Sequence, residues 1–280
     1  MQSIGDFRGW RQARPDAGKV HPKLRLPAPV PVREEFVPSE LFDEDYLWFM
    51  EDALDERSDA EVELILRLLE LAPGAEVLDA PCGHGRIANR VAGRGWRVAG
   101  LDSSRLFLGI ARERAPEGVE YVEGDLRDMP FEGRFDAAIN WYSSFGYFDD
   151  QGNQRVLEGF RRALKPGGKL LIEQASREML VANIPPSGRA VWMVERGDDL
   201  QIDQVTFDPV AGRSHTQRII VRDGRVRRTG FSLAQPTAAQ LIAMLRDAGF
   251  DDVRAFDETG GEFTTKSRRL LVLASSLAEA

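Results

Sequence analysis

The chain has 280 residues, of which 42% are hydrophobic and 29% charged, a balance typical of a folded globular protein rather than a disordered one. Its formal net charge of -8 leaves no overall basic surface to attract phosphates, so no nucleic-acid partner is expected. The single cysteine, Cys82, excludes an intramolecular disulfide, and the lack of a long apolar run or signal-peptide pattern predicts a cytoplasmic protein without a membrane partner.

The N-terminal region divides into an irregular arm and a helix. Residues 1–38 are rich in proline and arginine and show no helical or strand period, which predicts a flexible or wrapping arm. Further along, Ser58 and Glu61 have the spacing of a capping box and precede apolar residues at helical intervals. We therefore predict an amphipathic helix that begins at Ser58 and stops before Pro73.

From residue 76 onward, short apolar segments alternate with amphipathic ones. Strands are predicted at 76–79, 97–102, 119–122, 135–140 and 169–174, and helices at 86–93, 105–114 and 156–164. Such alternation is typical of an α/β fold with a mostly parallel sheet and helices on both faces. A ligand of this fold class binds at the carboxyl ends of the central strands.

The stretch 190–234 interrupts this alternation with segments that have the pattern of antiparallel strands joined by tight turns. After it, Thr237 and Gln240 form another capping-box pattern, which is followed by a helix and two final strands. The order predicts three parts: an arm at 1–38, an α/β domain formed by 39–189 and 235–280, and an inserted antiparallel β cap at 190–234.

The turn after the first predicted strand carries two glycines. Gly83 and Gly85 allow a sharp turn and a close approach of the backbone to a ligand. Asp102 ends the next strand, where a carboxylate can accept hydrogen bonds from both hydroxyls of an adenosine ribose. These features alone also fit a dinucleotide, so a nicotinamide-dependent oxidoreductase is one alternative.

The acidic residue before this turn separates the alternatives. Asp79 and the two glycines form a D-x-x-x-G-x-G pattern that resembles the motif of class I S-adenosylmethionine-dependent methyltransferases, whereas dinucleotide-binding folds usually carry a glycine in its place. Segments 101–104, 124–126 and 164–171 agree with that family in order and spacing. The resemblance covers residue 41 to the C-terminus. It implies a Rossmann-like seven-stranded sheet, S-adenosyl-L-methionine as cofactor and a transferase activity, with a non-catalytic regulatory protein that binds the same cofactor as the main alternative.

The resemblance also implies cofactor contacts residue by residue. Asp102 and Ser103 would hold the ribose, and Tyr46 corresponds to the tyrosine of an N-terminal lid. Asp79 would either contact the cofactor or only brace the loop. The other implied contacts are Gly83, His84 and Gly85 at the amino-acid part, Gly124, Asp125 and Leu126 around the adenine, and Asn140, Trp141 and Tyr142 near the methionine part.

A run of aromatic and hydroxyl side chains after the fourth strand of the α/β pattern predicts the acceptor side. We expect Ser144, Phe145 and Tyr147 to contact the substrate, with a place in the core as the alternative for the rings of Trp141, Phe145 and Phe148. In the cap, Arg218 and Arg222 would either grip a phosphate or carboxylate or form a solvated face. The candidate catalytic side chains are Tyr142 and His215.

The predicted reaction is methyl transfer to a small-molecule acceptor, an amine or a hydroxyl, by in-line displacement. Orientation of the two reactants accelerates such a reaction strongly, so a general base is optional for a neutral amine. Three scattered histidines predict no metal site. The sequence leaves open which atom is methylated and whether the protein is a monomer or a homodimer.

Overall fold

The computed structural model describes residues 11–12 and 36–276, so most of the arm predicted at 1–38 lies outside the described residues. The strands are β1 (Arg11–Gln12), β2 (Glu76–Asp79), β3 (Arg97–Asp102), β4 (Glu120–Glu123), β5 (Phe135–Asn140), β6 (Leu164–Ala175), β7 (Ala190–Arg196), β8 (Asp199–Asp208), β9 (Arg213–Arg222), β10 (Arg225–Ala234), β11 (Phe250–Phe256) and β12 (Arg269–Ser276). The helices are α1 (Glu44–Leu69), α2 (Ala88–Ala92), α3 (Arg105–Glu113), α4 (Asp150–Ala163), α5 (Arg177–Ala182) and α6 (Ala238–Asp247), with short 3-10 helices at Pro38–Glu40 and Leu126–Asp128.

The larger sheet has seven strands in the order β11-β12-β6-β5-β2-β3-β4. Strands β2 to β6 pair in parallel, and β12 runs antiparallel to both β6 and β11. The chain moves outward from β2 to β4 and then returns to the other side of β2 with β5. This reversal leaves a crevice at the carboxyl ends of β2 and β5. The Rossmann-like, mostly parallel sheet predicted from the sequence is confirmed.

Helices cover both faces of this sheet because its central strands are apolar throughout. Val77 and Leu78 of β2 are fully buried and point to opposite faces, where they join two separate apolar cores. The core around Leu78 includes side chains of α4 and α6, and the core around Val77 includes side chains of α1, α2 and α3. The central strands are therefore fixed from both sides, and the loops at their ends start from rigid positions.

The smaller sheet is antiparallel, with its strands in the order β1-β7-β8-β9-β10. Strands β7 to β10 fall in the stretch predicted as an inserted cap, while the division of the chain into domains stays a prediction. Val194 and Ile220 of this sheet pack on Phe49, Met50 and Leu54 of α1. The other half of α1 belongs to the core beneath β2, so this helix connects the cap to the main sheet.

The prediction that a helix begins at Ser58 is wrong. The helix begins at Glu44, and Asp43 caps it by accepting a hydrogen bond from a backbone N–H of the first turn at 3.1 Å. Ser58 lies inside the helix, where its buried hydroxyl donates to the Leu54 carbonyl at 2.7 Å. Glu61 forms salt bridges instead of closing a cap, which explains why its spacing from Ser58 was misleading.

Candidate active site

A cavity opens at the carboxyl ends of β2 to β5, beside α1. Concave sites in this position are where α/β folds bind small molecules. The predicted site residues that line it are Tyr46, Asp79, Gly83, His84, Asp102, Ser103, Gly124, Asp125, Leu126, Trp141, Tyr142, Ser144 and Tyr147. The folding of the chain thus brings residues from five separate segments to one cavity.

Three other predicted site residues, Gly85, Asn140 and Phe145, do not line the cavity. Gly85 has a φ of +80° and packs on β4, where an added Cβ would lie 2.5 Å from the Tyr121 hydroxyl oxygen. Asn140 is fully buried, and its Nδ2 donates to the Ala80 carbonyl at 2.9 Å. Phe145 belongs to the apolar core on the α4 side of the sheet. These residues support the loops that carry the lining.

Asp102 joins the loop after β2 to the loop after β3. One carboxylate oxygen accepts a hydrogen bond from the Gly83 N–H at 2.8 Å, and the other accepts from the Ser104 N–H at 2.8 Å. Burial raises the pKa of Asp102, while hydrogen bonds from the backbone N–H groups oppose that rise. The carboxylate therefore faces the cavity from a fixed position and can accept further hydrogen bonds from a ligand.

Asp125 and Leu126 form the edge of the cavity after β4. The Asp125 carboxylate caps the following 3-10 helix by accepting from the Arg127 N–H at 2.8 Å. It also pairs with the Arg127 guanidinium at 2.6 Å, and this hydrogen-bonded pair lowers the pKa of Asp125. The edge therefore combines an ionised acceptor with the apolar side chain of Leu126, a combination that suits a flat ring with a polar rim.

The cavity also has lining residues that the sequence pattern did not indicate. They are Phe36, Phe42, Leu54, Arg86, Phe107 and Phe148. Phe36 lies in the region predicted as an arm, where no period marks it as buried. For Arg86 the sequence did offer a sign of its position, because this residue directly follows the glycine pair of the loop after β2.

Three other features of the molecule limit the chemistry of the site. Cys82 lines the cavity, but burial raises the pKa of its thiol, and a thiol of raised pKa is a poor nucleophile at neutral pH. Within residues 11–12 and 36–276, no group of His, Cys, Asp or Glu side chains is placed to bind a metal ion. In the same part of the chain, no helix combines the length and apolar character needed to span a membrane.

Known proteins share the sequence pattern that builds this cavity. Residues 77–168 match a family model described as a methyltransferase domain. The cypemycin N-terminal methyltransferase of a Streptomyces species is 30% identical over 207 residues, which make up 71% of this chain and 82% of that enzyme. The chain belongs to the class I S-adenosylmethionine-dependent methyltransferases. It is an enzyme whose cofactor is S-adenosyl-L-methionine.

Solved structures of methyltransferases share the fold. The CcbJ methyltransferase from Streptomyces caelestis matches with a TM-score of 0.68 at 23% identity, over 79% of this chain and 90% of that chain. The sugar N-methyltransferase KedS8 from Streptoalloteichus matches with a TM-score of 0.63 at 21% identity, over 89% of this chain and 99% of that chain. At these identities the likeness concerns the fold alone.

The lining of the cavity fits this cofactor, although the contacts of individual residues stay predictions. Gly83 has a φ of +55°, and a Cβ placed on it would meet only the Phe107 ring, at 3.8 Å, so the loop leaves space beside its backbone. Asp102 offers the acceptor that a ribose needs, and Asp125 offers one for an adenine amine. Asp79 adds a carboxylate for the ammonium group of the methionine part.

Asp79 connects the two ends of the loop after β2 through a hydrogen bond. Its carboxylate accepts a hydrogen bond at 3.1 Å from the N–H of Ala88, the first residue of α2. Burial raises the pKa of Asp79 to about 7, although the charge of Arg86 and the hydrogen bond from Ala88 act in the opposite direction. Asp79 therefore braces the loop, which was one of the two roles predicted for it, and its side chain also lines the cavity.

The raised pKa of Asp79 makes cofactor binding depend on pH. Below a pH of about 7 this carboxyl is protonated in the free enzyme, and it must release its proton to bind an ammonium group. We expect the affinity for S-adenosylhomocysteine to fall by up to about tenfold per pH unit below that value and to be level above it. Calorimetry between about pH 5.5 and 8 in two buffers of different ionisation enthalpy measures both the affinity and the released proton.

The matched control for this pH dependence is Asp79→Asn, which removes the titrating group but keeps a side chain of similar size. Its affinity for S-adenosylhomocysteine should be lower and should change little over the same pH range. A wild-type affinity that does not change with pH, or an Asp79→Asn variant with the full wild-type slope, would contradict the assignment of the proton to Asp79.

Aromatic rings make up much of the remaining lining. Phe36 stacks on Tyr147 with 4.4 Å between the ring centroids, and Phe42 meets Tyr46 edge to face at 5.3 Å. Burial raises the pKa of both phenols, Tyr46 and Tyr147, so they stay protonated under physiological conditions. Burial and the nearby charge of Arg86 lower the pKa of the His84 imidazole to about 4, so this ring is neutral.

Tyr142, one of the two candidate catalytic side chains, lies on a strained piece of backbone. Its φ is +63° and that of Ser143 is +55°, both in the left-handed region that residues other than glycine rarely adopt. Glu173 holds this turn, because its carboxylate accepts from the Tyr142 N–H at 2.7 Å and its carbonyl accepts from the Ser143 N–H at 3.0 Å. The Arg269 guanidinium pairs with Glu173 from the other side. The ring of Tyr142 is thereby fixed against the cavity.

The two cap arginines predicted to contact substrate are paired with acidic side chains instead. Arg218 is buried and forms a two-pronged salt bridge with Asp203, at 2.8 and 2.7 Å. Arg222 pairs with Asp45 of α1 at 2.9 Å. Neither arginine lines the cavity, and a contact of either with the substrate stays a prediction.

His215, the other candidate catalytic side chain, lies apart from this cavity. It stands three positions before Arg218 on β9, so the two side chains point to opposite faces of the sheet. His215 lines a second cavity together with Arg213, Asp149 and Asp150. Tyr147 borders both cavities, so the second one adjoins the first. The role of His215 as a base stays a prediction.

Proposed function

We propose that this methyltransferase transfers the methyl group to the nitrogen of a small-molecule amine. The proposal is carried by the protonation states of the cavity lining. The phenols of Tyr46 and Tyr147 stay protonated, and the imidazole of His84 has a pKa of about 4, so none of the three is an effective proton acceptor at neutral pH. A hydroxyl acceptor needs such a base, whereas a neutral amine already presents a lone pair.

The chain's own contribution to the reaction is to position and shield the reactants. When bound, S-adenosyl-L-methionine would supply a methyl group on a positively charged sulfur, and the amine would take that methyl group as the carbon–sulfur bond is lost. The loop after β2 and Asp102 fix one reactant, and the rings around Tyr46 and Tyr147 exclude water and favour a cationic centre. On this proposal Tyr142 orients the amine and removes no proton, because the methylated ammonium loses its proton to water.

Two of the relatives are named for transfer to nitrogen. KedS8 is a sugar N-methyltransferase, and the cypemycin enzyme described above is an N-terminal methyltransferase. The small-molecule acceptor is inferred from the concave shape of the cavity and from the many aromatic rings in its lining. The cytoplasmic location and the monomeric or homodimeric state stay predictions.

The test uses pairs of acceptors that differ only in an amine or a hydroxyl at the reacting position, such as an amino sugar and its parent sugar, or a dipeptide and its hydroxy-acid analogue. S-adenosylhomocysteine formation and product mass are measured by mass spectrometry. We expect the amine of a productive pair to be methylated at least about 100-fold faster than its hydroxyl twin, since neither the two phenols nor His84 assists the hydroxyl. Equal rates for both members of a pair would contradict the proposal, and Asp102→Ala serves as the control that removes cofactor-dependent turnover.

A further inference from the structure

The second cavity adjoins the first one, at the carboxyl ends of β2 to β5, but is built largely by other elements. The stacked rings of Phe36 and Tyr147 border both cavities, so this pair stands between them. The rest of the second lining comes from the segment before α1, the N-terminus of α4, and strands β9 and β10. With the cofactor beside the loop after β2, as predicted, the body of an acceptor needs room beyond this pair of rings, and the second cavity offers it.

Four consecutive residues of β10, at 229–232, line the second cavity. Successive side chains of a strand point to opposite faces, so a cavity that touches all four runs along the edge of the strand. β10 stands at one end of the smaller sheet and pairs with β9 on its other side. Among the residues that the structure describes, no strand covers this outer edge of β10.

The end of β10 shows which backbone groups point outward. The Ala234 N–H donates to the Gly146 carbonyl at 2.8 Å, so it points away from β9. Each residue of an antiparallel strand directs its N–H and C=O to one side, the sides alternate along the strand, and the register with β9 is continuous over 225–234. Gly230 and Ser232 therefore direct their N–H and C=O groups to the outer edge, where both residues line the second cavity. An extended chain adds to such an edge as a further strand.

Two polar side chains beside this edge lack a hydrogen-bond partner. Thr229 lines the cavity and is only 8% exposed, and its hydroxyl has no partner among the described residues. The Nδ1 atom of His215, which lines the same cavity, is buried and unpaired within that part of the chain. Unpaired polar groups away from water are costly, so these two indicate a ligand with polar atoms of its own.

The charge of the second cavity favours a cationic ligand. Its lining contains three carboxylates, Glu40, Asp149 and Asp150, and one guanidinium, Arg213. Arg213 is engaged by the protein itself, because it donates to one hydroxyl and two backbone carbonyls at 2.9 to 3.2 Å. In the described part of the chain, no salt bridge neutralises Asp149 or Asp150. A ligand whose only charge is an ammonium group is therefore attracted to this cavity.

The first cavity places a condition on the reacting amine. Because the phenols of Tyr46 and Tyr147 and the imidazole of His84 do not take up its proton, the amine has to be neutral by itself. The α-amine at the start of a peptide has a pKa of about 7.7–8.0, whereas an alkyl amine such as that of lysine has one of about 10.4. At pH 7 roughly a tenth of the α-amine is neutral, against fewer than roughly one in a thousand of the alkyl amine. A peptide N-terminus therefore presents its lone pair without help from the protein.

We propose that the second cavity binds an extended peptide as an added strand on β10, through the backbone groups of Gly230 and Ser232, with its N-terminal amine directed past Tyr147 into the first cavity. This assignment rests on the proposed transfer to an amine, and it names the acceptor as the N-terminus of a peptide. The open part of the edge is short, because Ala234 is already bonded to Gly146, so it suits the end of a chain.

The experiment measures the binding of tetra-alanine amide to the full-length chain saturated with S-adenosylhomocysteine, by calorimetry. The C-terminal amide leaves the N-terminal ammonium as the only charge of this peptide. We expect saturable binding that weakens about 10-fold when the two inner amide nitrogens are methylated, because backbone pairing with β10 is then lost. Acetylation of the N-terminus should weaken binding by about threefold, since it removes the charge that the carboxylates attract.

Gly230→Pro tests the edge from the side of the protein. It removes an outward N–H and adds a ring there, while the ladder with β9 is kept, because an edge strand tolerates proline where the N–H points away from the sheet. We expect the affinity for tetra-alanine amide to fall at least about 10-fold. The affinity for S-adenosylhomocysteine should not change, since Gly230 does not line the first cavity.

Arg228→Pro is the matched control. Arg228 lies two positions before Gly230, so its N–H also points outward, but it lines neither cavity. This variant should bind tetra-alanine amide within about twofold of the wild type. If Gly230→Pro does not fold, the N-methylated peptide on the wild type decides between pairing and no pairing.

Three results would overturn the proposal. Tetra-alanine amide that does not bind, or that binds no better than its N-methylated form, would exclude pairing with β10. A wild-type dimer in light scattering that Gly230→Pro converts to a monomer, without any peptide binding, would assign the edge to a second copy of the chain. These readouts do not depend on methyl transfer. Methylation of an amino sugar by a protein that binds no peptide would therefore refute the peptide acceptor and leave the transfer to nitrogen intact.

Discussion

Asp102→Ala is expected to weaken the binding of S-adenosylhomocysteine by about 100-fold, or about 2.7 kcal/mol. The substitution removes a buried carboxylate that is placed to accept hydrogen bonds from the ribose. It also removes the acceptor for the Gly83 and Ser104 N–H groups, which fixes the loop after β2 against the loop after β3. Calorimetric titration of the folded variant measures the loss.

The control for this prediction is Asp128→Ala. Asp128 belongs to the 3-10 helix beside the cavity, but its side chain is exposed and is not part of the lining. Its replacement should leave the affinity within about twofold of the wild type. Wild-type affinity in a folded Asp102→Ala variant would show that the ribose does not lie at the end of β3.

The sequence predicted the main sheet well because its strands have the simplest physical signal. Val77 and Leu78 are buried on opposite faces, so β2 reads as a short continuous apolar run, and the turns before and after such runs contain glycine or proline. The start of α1 was predicted wrongly because Ser58 and Glu61 have the spacing of a capping box, whereas the side chain that they both bind comes from a distant part of the chain. Both contact Arg86, which lies 28 and 25 positions further along the chain.

The lining of the cavity around Asp79, Gly83 and Asp102 was predictable, and the partners of the cap arginines were not. Asp79, Gly83 and Asp102 stand at fixed distances from strand ends, so their spacing in the sequence places them at one edge of the sheet. The pairing of Arg218 with Asp203 depends on the register between β8 and β9, which no spacing rule gives. The acidic partner of Arg218 lies on β8, and that of Arg222 lies on α1, far from either arginine in the sequence.

The partners of these arginines show how the cap and the cavity are connected. Asp45, at the start of α1, accepts from Arg222 at 2.9 Å and from Arg227 at 2.7 Å. On the same helix, the ring of Trp48 contacts the guanidinium groups of Arg196 and Arg222, whose Cζ atoms lie 4.2 and 4.8 Å from its centroid. Tyr46 stands between these two attachments and lines the cavity. The cap therefore fixes the segment of α1 that carries this phenol.

Asp203→Ala is expected to lower the free energy of unfolding by about 3–5 kcal/mol, because it leaves the buried guanidinium of Arg218 without its partner. Both side chains are almost fully buried, and their two hydrogen bonds are short. Urea denaturation followed by circular dichroism measures the loss. The exposed pair Asp252 and Arg254 provides the control, since Asp252→Ala should cost less than about 1 kcal/mol.

The double variant Asp203→Leu/Arg218→Met separates the cost of an unpaired charge from the value of the pair itself. Removing both charges abolishes the desolvation penalty, so most of the stability lost in Asp203→Ala should return. Because neither residue lines the cavity, the double variant should bind S-adenosylhomocysteine with nearly wild-type affinity. A double variant as unstable as the single one would show that the two hydrogen bonds stabilise the cap sheet directly. In that case the ion pair itself, and not only the neutralisation of its charges, stabilises the pairing of β8 with β9.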